Sequence, residues 1–168
     1  MLRILIVARC CGSPSRAPGD PGLKLAFTAS SPYRRAMDIQ IAVLCDAATE
    51  NGGKLNLLGA FDAIRAPQLP VVHPQCSIAL RMTFTRVEEG AHKLRFSFVD
   101  EDGRSIMPAI DLPFEVRLPD ESLFVTTNFI VSIQQLRFEM EGMYSIDVAI
   151  DGRREAAIPL VVKLAAQV

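Results

Sequence analysis

From residue 38 onward, apolar and polar side chains alternate with a period of two, the pattern of strands that bury one face. Ile39, Ile41, Val43 and Cys45 are predicted to share one face of a first strand. Asn51-Gly52-Gly53 then tolerates the positive φ of a tight connection. Lys54 to Ile64 reads as a second strand, in which Gly59 marks a bulge or a close backbone approach. Pro67, Pro70 and Pro74 mark an extended connection to a third strand, whose Cys76, Ile78, Leu80, Met82 and Phe84 point to the core and whose Arg81 points to solvent. Beyond Glu88-Glu89-Gly90, Leu94, Phe96 and Phe98 alternate with Lys93, Arg95 and Ser97, again with the arginine outward. Ser105 to Leu118 contains Pro108 and Pro113, so it can be only edge strand or loop, because proline donates no ladder hydrogen bond. Leu123 to Ile133, Tyr144 to Ile150 and Ile158 to Leu164 complete the pattern, the last two joined by an Asp151-Gly152 turn.

About seven or eight strands with regular turn signals and no convincing amphipathic helix predict an all-β domain. An antiparallel immunoglobulin-like, Greek-key sandwich is the economical arrangement, since two half-polar sheets can bury their apolar faces against each other. A closed barrel stays open as the alternative. Glu141-Gly142-Met143-Tyr144 resembles the tyrosine corner of such sandwiches, in which the hydroxyl returns to nearby backbone; Leu136 to Gly142 is the stretch placed to accept it. Tyr144, Gly142 and Gly59 are therefore structural candidates.

Composition separates a head from this body. Residues 1–36 hold four prolines, three glycines and no sustained period, so they are expected to be a disordered extension or an over-extended gene start, with Met37 opening the domain that runs to residue 168. A short targeting extension is the alternative. The apolar run Ile4–Ala8 stops at Arg9 and is shorter than the about 7–15 residues of a secretory core. The head carries six basic side chains against one acid, which leaves the body at a net charge of -6. An acidic body repels polyphosphate, so nucleic acid is not expected as a partner, and no apolar run approaches a membrane span. Cys45 and Cys76 sit singly in strand-like runs with no CxxC, so they read as buried free thiols suited to a reducing, cytoplasmic setting.

Catalytic chemistry leaves little trace. His73 and His92 are the two histidines, and the three-residue spacing from His73 to Cys76 in an extended segment does not aim one at the other. Neither a nucleophile elbow nor a phosphate loop occurs, and tryptophan is absent. No cofactor is expected. Asp100, Asp102 and Asp111 present hard oxygen ligands of the kind calcium prefers, although the glycine of Asp100-Glu101-Asp102-Gly103 is misplaced for an EF-hand.

The segments Asp46-Ala47-Ala48-Thr49, Gly53-Lys54-Leu55-Asn56-Leu57-Leu58-Gly59-Ala60-Phe61-Asp62, Gly142-Met143-Tyr144, Asp151-Gly152 and Ile158-Pro159-Leu160 resemble a family of small uncharacterised bacterial proteins of about 130 residues that carry a domain-of-unknown-function label. The likeness covers residues 38–164 and implies a bacterial β-sandwich without transferring any catalytic residue. The expectation is a non-catalytic interaction module that engages an unidentified protein or a second copy of itself. The alternative is a small-ligand or calcium-dependent binding protein built on the Asp100–Asp111 region.

Overall fold

The structure, a computed structural model, describes residues 3–11 and 37–165. Ten strands are present among them: β1 Arg3–Cys11, β2 Met37–Asn51, β3 Lys54–Phe61, β4 Ala63–Ala66, β5 Val71–Thr85, β6 Gly90–Asp100, β7 Ile110–Val116, β8 Phe124–Phe138, β9 Gly142–Ile150 and β10 Arg153–Leu164. They form two five-stranded sheets in the orders β1-β8-β5-β2-β3 and β4-β10-β9-β6-β7. All neighbours are antiparallel except β4 and β10. The chain is all-β, and its two separate sheets make a sandwich rather than a closed barrel.

Strand alternation builds the core between the sheets. Leu80, Met82 and Phe84 of β5 meet Leu94, Phe96 and Phe98 of β6, Phe129, Val131 and Ile133 of β8, and Ile146 and Val148 of β9, all essentially inaccessible to water. β7, with Pro113 in its middle, lies at a sheet edge, where a missing donor costs nothing.

Three strands change phase partway along, β10 among them, where Glu155 is the extra residue between Arg154 and Ala156. In β2 the pairing moves from Ile39 opposite Met82 to Ile41 opposite Arg81, so Gln40 is a bulge and every later side chain swaps faces. Ala42 and Leu44 therefore point to the core, while Ile41, Val43 and Cys45 point to the outer face. The single face predicted for Ile39 through Cys45 is corrected by this bulge, which strict alternation cannot reveal. In β8 the change falls at Gln135, whose φ is 60°, and the buried positions move from Ile133 to Leu136 and Phe138.

The second predicted strand is two. β3 ends at Phe61 on one sheet; the chain crosses at Asp62 and continues as β4 on the other sheet, where the Val161 N–H donates to the Asp62 carbonyl at 2.8 Å. Residues 3–11 supply a strand to which the alternation assigns no element, since their apolar run is continuous: the backbone of β1 pairs with β8 from Arg3 opposite Gln134 to Cys11 opposite Thr126. The reading of residues 12–36 lies outside the described residues.

The β2–β3 hairpin folds back over the outer face of its own sheet. The Gly53 carbonyl near its tip accepts from Arg81 Nη1 and Asn128 Nδ2, both at 3.1 Å. Arg81 also donates to Asn128 Oδ1 at 2.9 Å and, through Nε, to Gln40 Oε1 at 3.0 Å. Arg81 is thus half-buried beneath the hairpin instead of pointing into solvent, and Asn128 is 1% exposed with both ends of its amide bonded. At the bend, Asp46 lies opposite Gly59, whose φ is +63°; a Cβ there would collide with the Asp46 carboxylate. Gly59 is a close backbone approach.

The Tyr144 ring is buried, edge-on to Phe138 with centroids 5.0 Å apart, and its hydroxyl donates to the Met140 carbonyl at 2.8 Å. That is the geometry of a tyrosine corner. Gly142, two residues earlier, opens β9 at φ +151°, which a side chain rarely adopts. Tyr144→Phe is expected to cost about 1–3 kcal/mol, because it keeps the packing and orphans the carbonyl. The check is a lowered urea midpoint at unchanged slope. Gly59→Ala is expected to cost at least about 1–2 kcal/mol from the left-handed backbone alone, with further loss as Asp46 is displaced, read by the same titration.

Candidate functional site

The crossing at Asp62 leaves half of one flank of the sandwich open. β2 pairs with β5 from Met37 to Cys45, but with β3 only from Leu44 to Asn51. β10 pairs with β9 from Arg153 to Val162, but with β4 only from Val161 to Leu164. Among the described residues, the backbone of residues 37–43 and that of residues 154–160 therefore each have one edge without a strand partner, and the two edges face each other across the seam between the sheets.

Three recesses follow that seam. One of about 360 Å³ lies at the crossing, between Leu44, Phe61 and Asp62 on one side and Ile158 and Pro159 on the other. The next, about 180 Å³, shares Ala42 with it and is lined by Asp38, Ile39 and Ala156. The third, about 330 Å³, shares Met37 and Glu155 with the second and ends at His92 and Asp151. They make one groove with a largely apolar floor, since Met37, Ile39, Ala42, Phe61 and Ala156 pack against the core while partly exposed.

A charged cluster built by two turns closes the lower end. The 3₁₀ turn Arg86–Glu88 is fixed where the Glu88 carboxylate accepts both the Thr85 N–H and its hydroxyl at 2.7 Å. That aims the Glu88 carbonyl at His92 Nε2, 2.8 Å away. From the β9–β10 turn, Asp151 accepts His92 Nδ1 at 2.7 Å and the Lys93 N–H at 2.9 Å. Both ring nitrogens of His92 thus face acceptors, and only the imidazolium, with two N–H donors, satisfies both. The rings of Phe84 and Phe114 pack beside it with centroids 6.2 and 5.5 Å away. Burial pulls the His92 pKa down, but the Asp151 and Glu88 hydrogen bonds and the two carboxylate charges outweigh it, and the pKa lies above the ordinary histidine value. The His92 hydrogen bond holds Asp151 below the ordinary carboxylate value.

The calcium candidates are not brought together. Asp111 on β7 is held by Arg95, through two bonds at 2.6 and 2.8 Å, and by Lys93 at 2.8 Å. Asp100 Oδ1 accepts the backbone N–H groups of Asp102 and Arg104, and Asp102 pairs with Arg104. No group of three or more His, Cys, Asp or Glu that could hold a metal occurs among the described residues. Cys76 is buried in the core, and burial, with Cys45 and Asp46 nearby, pushes its thiol up to about 12. His73 packs against the Phe61 ring at 5.5 Å, and its buried Nε2 has no hydrogen-bond partner among the described residues. The His92–Asp151 pair escaped sequence reasoning because its members lie far apart in the chain; the one local signal is an aspartate entering a tight turn at φ 51°.

A protein-family model described as a family of unknown function (DUF6941) matches residues 40–163. Among curated proteins there is no match. Among solved structures the chain is similar to the Pseudomonas fluorescens alkylpurine DNA glycosylase AlkC bound to DNA containing an abasic site analog, with a TM-score of 0.43, 10% sequence identity, and coverage of 76% of this chain and 30% of that one. The expectation on partners, an unidentified protein or a second copy with nucleic acid excluded, is corrected here. A DNA-bound protein is among the matches, so nucleic acid returns to the classes open to this chain. At this TM-score and identity the likeness supports nothing more. No helix among the described residues is long and apolar enough to cross a membrane.

The bridge predicts a pH dependence. With its folded pKa raised above 6.5, His92 contributes stability that is fully present below about pH 6.5 and is lost as pH rises through the folded value. With its folded pKa lowered from 3.8, Asp151 contributes above that value and loses its contribution as pH falls through the folded one. The difference in urea midpoint between the wild type and His92→Gln is therefore expected to be largest near pH 5–6 and to shrink by pH 8–9. A difference independent of pH would show that the imidazole acts by packing alone.

Proposed function

Because the chain belongs to a family of unknown function (DUF6941), we infer its role from its own surface and propose a non-catalytic β-sandwich module that holds a partner in the groove between β2 and β10. The observation that carries this reading is the open half of the flank among the described residues: a run of recesses that combine an apolar floor with charged walls, in a sandwich that is otherwise closed at that seam by β3 and β4. Concave, apolar sites with a few placed polar groups are where partners gain most from leaving water. A non-catalytic role is supported by the chemistry at hand. His92 has both nitrogens committed to acceptors, so it has none free to take a proton, and the thiols of Cys45 and Cys76 are held neutral by burial. A cytoplasmic setting belongs to the same proposal, supported by those two buried free thiols.

Filling the groove tests it. Ala156→Trp is designed to occupy the middle recess, while Arg137→Ala, on the far strand β8, leaves the groove intact. With wild type and both variants as bait in the native cell, a partner retained by wild type and Arg137→Ala and lost by at least tenfold from Ala156→Trp supports the module. Equal capture by all three assigns binding to another face. Matching unfolding midpoints for the three proteins establish that loss of binding is not loss of fold.

A further inference from the structure

We propose that the groove recognises an extended polypeptide segment, which adds to the sheet as a strand beside β2 in the lane that β3 leaves at Asp62; this rests on the reading of the groove as the binding surface. The occupant follows from what is unmet there. Residues 37–43 of β2 are in strand conformation and hydrogen-bonded to β5 on one side, so on the other they present alternating N–H and C=O groups with no strand partner among the described residues. Such a row is satisfied by another extended backbone more completely than by any small molecule or stacked base. The facing edge of β10 carries Pro159, which has no N–H to give, so β2 is the strand that offers a ladder.

Side-chain preferences follow from the walls. A strand in this lane turns alternate residues toward Ile39, Ala42, Phe61 and Ala156, where the recesses of about 180 and 360 Å³ admit small or medium apolar groups. Exposed Asp38 near one end and exposed Asp62 at the other favour basic residues flanking that apolar centre. The inferred ligand is therefore a short segment of alternating apolar residues with Lys or Arg on both sides. Other candidates in the fold are weaker: Val87, Leu123 and Phe124 form an exposed apolar end, but nothing there specifies what would cover it.

The test uses the full chain and linear peptides of about ten residues, selected from a random display library and screened for loss of binding to Ala156→Trp. Hydrogen exchange should show the outward amides of residues 38–43, those that point away from β5, open in the free protein and slowed on peptide binding. N-methylation at every second peptide residue should weaken binding about tenfold per bonded position, whereas methylation of the intervening residues should leave it unchanged. Peptides that need the groove yet tolerate methylation everywhere and leave those amides unprotected would overturn strand addition while the groove itself stands. Recovery of no groove-dependent peptide overturns the proposal, as does protection of these amides in the free chain, which would mean the edge is covered from within. Protection by a single-stranded oligonucleotide and by no peptide overturns it in favour of nucleic acid.

Discussion

At Asp62 the chain leaves one sheet and joins the other, and most of what is distinctive in this molecule depends on that step. A strand that runs to the end of its sheet would pair with β2 throughout and seal the flank. Here the backbone crosses after Phe61, the Asp62 carbonyl accepts the Val161 N–H, and β4 lies parallel to the last residues of β10. One segment therefore gives both sheets a short edge strand at one end and withholds it from both at the other. Hydrophobic burial holds the sheets together across the core, but it sets no limit on where their edges are covered. The crossing does, and it leaves two backbones facing an apolar groove.

The ends of that groove are held by different physics. At the crossing, backbone hydrogen bonds fix the geometry and the walls are aliphatic and aromatic. At the other end, His92 bridges a carbonyl and a carboxylate from two separate turns and packs beside two phenylalanine rings that also touch each other. A charge in such a place is costly unless every donor is matched, and here both are. The outer face is stiffened by a third device, the Arg81–Asn128–Gly53 network, whose hydrogen bonds pin the folded-back hairpin.

Local pattern carried the reading of the core and failed where the chain makes tertiary decisions. Leu80 to Phe84 and Tyr144 to Ile150 were legible because a half-buried strand repeats every two residues. The tyrosine corner could be read because its bond spans only four residues, from Tyr144 to Met140. The bulge at Gln40 and the phase change at Gln135 were hidden, since each keeps the local composition and changes only which face the next residue takes. The division between β3 and β4 was hidden for the same reason: nothing within Gly59 to Ile64 says which sheet the last residues will join. The groove itself is a relation between two strands more than a hundred residues apart, so no window along the chain contains it, and Arg81 seemed a solvent residue because the hairpin above it is invisible at the level of alternation.

Cys45 and Cys76 lie on neighbouring strands, one beneath the hairpin and one in the core, and both are too buried and too weakly acidic to meet an alkylating reagent while the sandwich is closed. Their modification can proceed only through openings that expose them, so the rate at which each becomes labelled is a clock for a different motion: lifting of the hairpin for Cys45, parting of the sheets for Cys76. Peptide-resolved mass spectrometry separates these two thiols from Cys10 and Cys11. The molecule thus carries its own pair of internal timers, one on each side of the same sheet, and a ligand that zips onto the open edge of β2 should slow them to different extents.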